Sequence, residues 1–416
     1  MNVYLESLGC KLNQSEIETL ARRFVEAGHR LAASPQAADL CVLNSCAVTH
    51  IAARKSRQAV RRLRRANAGA RVIVTGCYAE VAPRELDADL VVGNMDKDSL
   101  VERVLGGDYR EPSRLSTLAP ALPQSRSRAF VKIQDGCDNH CTYCLTRLAR
   151  GPQRSLPRAQ ILAEIRARVA AGYQEVVLTG VHVGGYGCDG GRSGDDNLWS
   201  LVEAILAGTE VRRLRLSSIE PWDMTPQVLH LWRDPRLCRH LHLPLQSGSD
   251  EILRRMGRRY TAAEFSRLVE AVRVVEPEMA VTTDVIVGFP GETMDRFAES
   301  LALVERLAFA RAHVFPYSAR PGTPAASLPD QVPAAEKKAR AAHMRAVARR
   351  AAMRFQQQFI GRTVEVLWES RRNGHWCGLT DNYVRILVQS DRNLVQQITP
   401  VRLLAGIDGG LLAELL

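Results

Sequence analysis

Apolar positions in the first hundred residues fall into short runs separated by stretches of helical period. Residues 2–8, 39–44, 71–75 and 90–92 read as strands, and residues 15–27 and 48–66 as helices, the first capped by Asn13 or Ser15. Strand–helix alternation of this kind predicts a parallel, doubly wound sheet. The alternation resumes with strands at 129–134, 175–179, 213–217, 240–244, 281–287 and 312–316. Helical patterns lie between them, including 157–171, with Ile161, Ile165 and Val169 on one face, and 261–275. Six such strand–helix units predict a partial (β/α)6 barrel whose chemistry sits at the C-terminal strand ends. A proline-rich linker at 321–333 and a helix at 334–359 follow. Short β patterns at 363–368, 378–379, 383–388 and 393–398, with one more strand at the end, predict a small OB-like β-barrel. The expected class is α/β, divided into units 1–120, 126–356 and 357–416.

Composition changes this picture in three ways. The 416 residues carry a net charge of +11, which favours a polyanionic partner. There is no apolar run of membrane-spanning length and no basic, apolar leader at the start, so a cytoplasmic protein without a membrane span is expected. Ten cysteines in such a chain point to metal binding or catalysis rather than disulfides.

Six of the cysteines fall into two sets. Cys137, Cys141 and Cys144 follow the first barrel strand with C-x3-C-x2-C spacing. So short a loop closes on a metal centre at little entropic cost. Four-iron clusters are normally held by four thiolates, so three leave one iron open for a cofactor or substrate. A zinc loop completed by His140 is the alternative. Cys10, Cys46 and Cys77 each follow a strand of the first unit, twice beside a glycine, Gly9 and Gly76. Parallel strands place their C-terminal ends along one edge, so these thiols should meet in one crevice as a second three-thiolate set. The alternative is three separate core cysteines. Cys41 reads as core; Cys188, Cys238 and Cys377 have no assigned role.

The C-x3-C-x2-C run, with Tyr143 before its last cysteine, resembles the signature of radical S-adenosylmethionine (SAM) enzymes. The segments around Cys10, Asn44-Ser-Cys46 and Thr75-Gly-Cys77 resemble the N-terminal domain of the methylthiotransferase branch of that superfamily. The resemblance extends over nearly the whole chain, and the last unit resembles a TRAM domain. It implies two [4Fe-4S] clusters, one at Cys137, Cys141 and Cys144 that binds and cleaves SAM, and an auxiliary one at Cys10, Cys46 and Cys77. It further implies use of two SAM molecules: one methylates sulfur on the auxiliary cluster, and the other yields a 5′-deoxyadenosyl radical that takes hydrogen from C2 of an adenine. Asn44-Ser-Cys-Ala-Val-Thr-His50, Lys55-Ser-Arg-Gln58 and Thr179-Gly-Val-His182 look most like the MtaB type. That type acts on N6-threonylcarbamoyladenosine at position 37 of tRNA. The alternatives are the isopentenyladenosine-37 branch, the branch acting on a ribosomal-protein aspartate, and a non-catalytic metal-containing RNA-binding protein.

SAM contacts implied by the resemblance fall at Tyr143, Gly180, Glu220, Gln246 and Arg254, with further strand-end segments at 217–220 and 284–288. Segment 288–292 reads equally well as a tight turn, and His182 equally well as a capped loop histidine. Partners implied are the tRNA anticodon stem-loop and a low-potential electron donor of flavodoxin or ferredoxin type; the sulfur source is left open. Two basic runs, at 54–65 and 337–354, suit contacts to a phosphate backbone. Segment 145–150 departs from the Ile-Pro-rich stretch usual in the family.

Overall fold

The computed structural model describes residues 1–106, 126–189 and 196–416. The expected end of the first unit, residue 120, and residues 190–194 of the glycine-rich loop that carries Cys188 lie outside them.

The first unit is a five-stranded parallel sheet of β1 (Asn2–Ser7), β2 (Arg30–Leu31), β3 (Leu40–Ser45), β4 (Arg71–Gly76) and β5 (Leu90–Val92), in the order 2-1-3-4-5. Helices α1 (Lys11–Glu26), α2 (His50–Ala66), α3 (Cys77–Val81) and α4 (Leu100–Leu105) connect or follow these strands. The central strand β3 is buried along its whole length, as expected of a sheet covered on both faces. Thr49 caps α2, its hydroxyl accepting from the Ala52 N–H at 3.1 Å. Helix α1 begins earlier than its polar pattern suggests. Cys10 is the N-cap residue, and Asn13, expected as the cap, lies inside the helix with its side chain used elsewhere.

The central unit has strands β6 (Arg128–Lys132), β9 (Glu175–Thr179), β10 (Arg213–Leu216), β11 (His240–His242), β12 (Ala280–Val287) and β13 (Arg311–Pro316). Two three-stranded parallel sheets, 10-9-6 and 11-12-13, meet at the parallel bridge Ser218–His242. The result is the expected six-stranded partial barrel, open between β6 and β13. A two-stranded ribbon, β7 (Gln134–Asp135) with β8 (Arg154–Ser155), brackets the cysteine loop and α5 (Thr146–Arg150). Outer helices are α6 (Arg158–Ala170), α7 (Leu198–Gly208), α8 (Asp250–Arg255), α9 (Ala262–Val275), α10 (Met294–Leu307) and α11 (Ala334–Gln357). Helix α1 packs against β6, beside the open seam. The linker does not stand free, because the Ala325 N–H donates to the Thr142 carbonyl inside the cysteine loop at 2.9 Å.

The last unit is a closed barrel of β14 (Thr363–Arg372), β15 (His375–Leu379), β16 (Arg385–Gln389), β17 (Ile398–Ile407) and β18 (Gly410–Leu415), in the order 14-15-16-18-17. The strand expected at 393–398 is a loop, and the real strand starts where that expectation ends. This barrel covers the N-terminal ends of the central strands. Tyr383 stacks on His240 with ring centroids 4.5 Å apart, and Arg213 and Arg215 donate to carbonyls of Glu365, Thr380 and Asp381.

Among the described residues no helix is long and apolar enough to cross a membrane. The basic runs are partly structural. Arg340 of α11 is buried and pairs with Glu292 at 2.8 Å, and on α2 Arg57 and Arg64 pair with Glu85 and Asp89. Arg54, Lys55, Arg61 and Arg65 remain exposed on the outer side of α2.

Candidate functional site: two cysteine sets joined by a buried ion network

Cys10, Cys46 and Cys77 follow β1, β3 and β4, which are neighbours in the sheet. A Cβ on Gly9 would stand 2.8 Å from the Cys46 sulfur, so Cys46 reaches the backbone preceding Cys10. Gly9 has φ +102 and Gly76 φ +97, and a Cβ on Gly76 would stand 2.4 Å from Asn44 Oδ1. Both positions need glycine for conformation and for space. Burial pushes the Cys46 thiol up to about 11, so it is protonated until a metal binds it. The strand-end argument therefore brings the three residues to one edge. Cys41 lies in the core, as expected, and Cys238 is buried as well.

The second set lies on a loop stitched down on all sides. The Cys137 N–H donates to the Gly151 carbonyl at 3.2 Å, and Thr142 bonds the carbonyls of Met256 and Arg255. Two donors aim at sulfur: Thr146 N–H lies 3.4 Å from Cys144 Sγ, and the Arg258 guanidinium 3.5 Å from Cys141 Sγ. Such donors suit thiolate ligands. Burial pushes the Cys137 thiol up to about 11. Gly136 and Gly257 have positive φ, and a Cβ on either would collide with backbone carbonyls of the surrounding loop. His140 turns its Nε2 to Arg147, and among the described residues no group of three His, Cys, Asp or Glu side chains is gathered around a single ion. A one-ion zinc site needs donors about 2.0–2.3 Å from the metal. A four-iron cluster takes its thiolates on separate irons and so accepts a wider set. The donor set of each triad, three thiols, is of the chemistry such a cluster takes.

The residues expected at SAM are distributed unevenly. Tyr143 packs edge-on against Phe289 below the loop. Gly180 lies against Gln134, whose Oε1 accepts from the N–H groups of Val181 and His182 at 3.0 and 2.9 Å. Glu220 pairs with Arg258, the residue that also reaches Cys141. Gln246 adopts φ +62, and its N–H donates to the Asp284 carbonyl at 2.8 Å. Arg254 is directed to solvent, 73% exposed, and pairs with Glu251 on its own helix. Arg258, four residues on, is the arginine brought to the loop. His182 bonds Asp223 at 2.7 Å and Asn139 at 3.4 Å, tying its loop to the cysteine loop.

Between the two triads lies a network that sequence reasoning missed. Glu16 of α1 is bonded by Lys97 at 2.6 Å and Arg150 at 2.8 Å, and Lys132 stands at 3.4 Å. Burial works to raise its carboxyl, but the three cations overcome it and hold the group well below the carboxylate range. Arg150 also bonds Asp135 at 2.9 Å. The network joins the first unit to the central one, and no local pattern signals a contact between residues 134 positions apart.

Two family models match the chain: the Radical SAM superfamily over residues 131–304 and the Uncharacterized protein family UPF0004 over residues 2–94. The chain is 40% identical to the threonylcarbamoyladenosine tRNA methylthiotransferase MtaB of Thermotoga maritima, over 88% of this chain and 86% of that protein. It is 37% identical to the Bacillus subtilis protein of the same name, over 97% and 93%. It is also 34% identical, over 100% and 98%, to a tRNA-2-methylthio-N(6)-dimethylallyladenosine synthase from Pelobacter propionicus. Among solved structures it resembles the radical S-adenosylmethionine methyltransferase TsrM of Kitasatospora setae, with a TM-score of 0.56 at 14% identity over 78% and 77% of the two chains. That likeness concerns the fold alone.

Proposed function

The chain belongs to the radical SAM methylthiotransferases, and from that premise we propose that it methylthiolates C2 of N6-threonylcarbamoyladenosine at position 37 of tRNA. The observation that carries the reading is the presence of two separate three-cysteine sets, at the edges of two adjoining units. Cys137, Cys141 and Cys144 would hold one [4Fe-4S] cluster with SAM, and Cys10, Cys46 and Cys77 the other. When bound, the first supplies reductive cleavage of SAM and the second the sulfur, with a second SAM giving the methyl group.

The chain's own residues hold and orient the site. Arg258 spans Cys141 Sγ and the Glu220 carboxylate and would border SAM bound at that loop. Gln134 pins the backbone at Val181 and His182, keeping Gly180 close to the loop. Tyr383 and the last barrel close the far end of the central barrel, opposite the cysteine loop. The exposed cations of α2 suit phosphate contacts that position RNA without reading its sequence. The target base must leave the anticodon stack to reach the site, which a single-stranded loop permits at low cost. A low-potential donor of flavodoxin or ferredoxin type would supply the electron, and the anticodon stem-loop in the cytoplasm is the intended partner.

The test is anaerobic reconstitution followed by iron, sulfide and SAM-cleavage assays. About eight irons per chain and 5′-deoxyadenosine formation with dithionite are expected. Zinc in place of iron, or no cleavage, refutes the reading. Supplying tRNA with either a threonylcarbamoyl or a dimethylallyl adenosine then identifies the substrate.

A further inference from the structure

Helix α5 begins two residues after Cys144 and ends on Arg150. The Arg150 side chain is 2% exposed. Its Nη1 donates to Glu16 Oε1 at 2.8 Å and to Asp135 Oδ1 at 2.9 Å, and its Nη2 to Asn13 Oδ1 at 2.5 Å and Glu16 Oε2 at 3.3 Å.

Two of these partners, Asp135 and Asn13, hold the cysteine loops. Asp135 Oδ1 also accepts from the Gly136 N–H at 2.8 Å, one residue before Cys137. Asn13 Nδ2 donates to the carbonyls of Leu8 at 2.8 Å and Ser45 at 3.0 Å. Those carbonyls lie just ahead of Gly9–Cys10 and of Cys46. Asn44, against which Gly76 packs, donates to the Asn13 carbonyl at 2.9 Å and to Glu16 at 3.1 Å. One guanidinium therefore bonds, through one intermediate residue on each side, to the backbone of both cysteine sets. A guanidinium does this in a way an ammonium does not, because its donors are rigidly forked in one plane.

We propose that Arg150 is the positioning residue that fixes the auxiliary cysteine set relative to the radical-generating loop. The proposal rests on the two-cluster reading above. Group transfer between two sites depends steeply on their relative placement, and a displacement of about 1 Å costs on the order of a hundredfold. SAM cleavage needs only the second set, so the two outputs should separate.

The experiment compares wild type, Arg150→Met and Arg150→Lys as full-length, reconstituted proteins. Three quantities are read: iron content, methylthio product per 5′-deoxyadenosine, and the magnetic coupling between the two reduced clusters by electron paramagnetic resonance. In Arg150→Met, iron and 5′-deoxyadenosine should stay within about twofold of wild type, while product per 5′-deoxyadenosine falls roughly tenfold or more and the coupling changes. Arg150→Lys keeps the charge but not the fork and should fall between the two. A wild-type ratio and coupling in a variant with full iron overturns the proposal. Loss of auxiliary iron from both variants also overturns it, since Arg150 would then build the site rather than place it. A wild type with one cluster, or without SAM cleavage, overturns the function reading and this proposal together.

Discussion

Arg215→Met is expected to destabilise the protein by about 3–5 kcal/mol, the cost of leaving one buried charge without its partner. Arg215 on β10 and Glu175 on β9 are both wholly buried and joined by two bonds, at 2.7 and 3.1 Å. The same guanidinium donates to the carbonyls of Asp381 at 2.8 Å and Thr380 at 3.3 Å and lies 4.9 Å from the centre of the Tyr383 ring. It thus serves both the central barrel and the seal on its far end. Burial works to raise the Glu175 carboxyl, and Arg215, aided by Arg128 and Arg213, overcomes it and holds the group below its ordinary value. In wild type this contribution is present above the unfolded value, about 4.3, and is lost as pH falls. In the variant, burial is opposed by the more distant Arg128, Arg213 and Lys11, and the folded value rises. The deficit should therefore be smaller at pH 5 than at pH 7. Replacing both residues, Arg215→Met with Glu175→Leu, should recover more than half of the loss, because an apolar pair leaves no orphaned charge. Urea unfolding of the apo protein, followed by tryptophan fluorescence at the two pH values, measures all three quantities. A single-variant cost below about 1 kcal/mol, or a double variant no better than the single one, refutes the reasoning.

Further outcomes follow from other sites. Gly76→Ala should lose about 1–3 kcal/mol and the auxiliary iron, because its φ is +97 and a Cβ meets Asn44 and Ser45 at 2.4 Å; calorimetry with iron analysis checks this. Cys46→Ala should keep 5′-deoxyadenosine formation and lose methylthio transfer, and abolished SAM cleavage in a folded variant would count against two independent sites. Glu16, held well below the carboxylate range once its cations overcome burial, contributes stability that is present above about pH 4.3 and lost on further acidification. Acid titration of wild type against Glu16→Gln, monitored by circular dichroism, should show that component missing from the variant.

Much of this architecture is legible in the sequence, for physical reasons. Parallel strands deliver their ends to one edge, so Cys10, Cys46 and Cys77 can be placed together from hydrophobic runs alone. Local polarity misleads where a side chain has a tertiary task. Asn13 looks like a helix cap, but it secures the Leu8 and Ser45 carbonyls instead. Arg340 sits in a run of cations that reads as a solvated face, yet it is buried on Glu292. The short β pattern at 393–398 predicts a strand, but Leu394 is buried and Val395 exposed on a loop, and the strand begins only at Ile398. Arg254 and Arg258 are indistinguishable by pattern, and only the fold decides which one meets Cys141. Arg150 could not be found at all without the contact between units.

The central claim is tested most directly by mass spectrometry of tRNA nucleosides from the host with and without the gene. Loss of 2-methylthio-N6-threonylcarbamoyladenosine, with accumulation of N6-threonylcarbamoyladenosine, is the predicted result. Unchanged 2-methylthio-N6-threonylcarbamoyladenosine together with disappearance of a different methylthio product would contradict it.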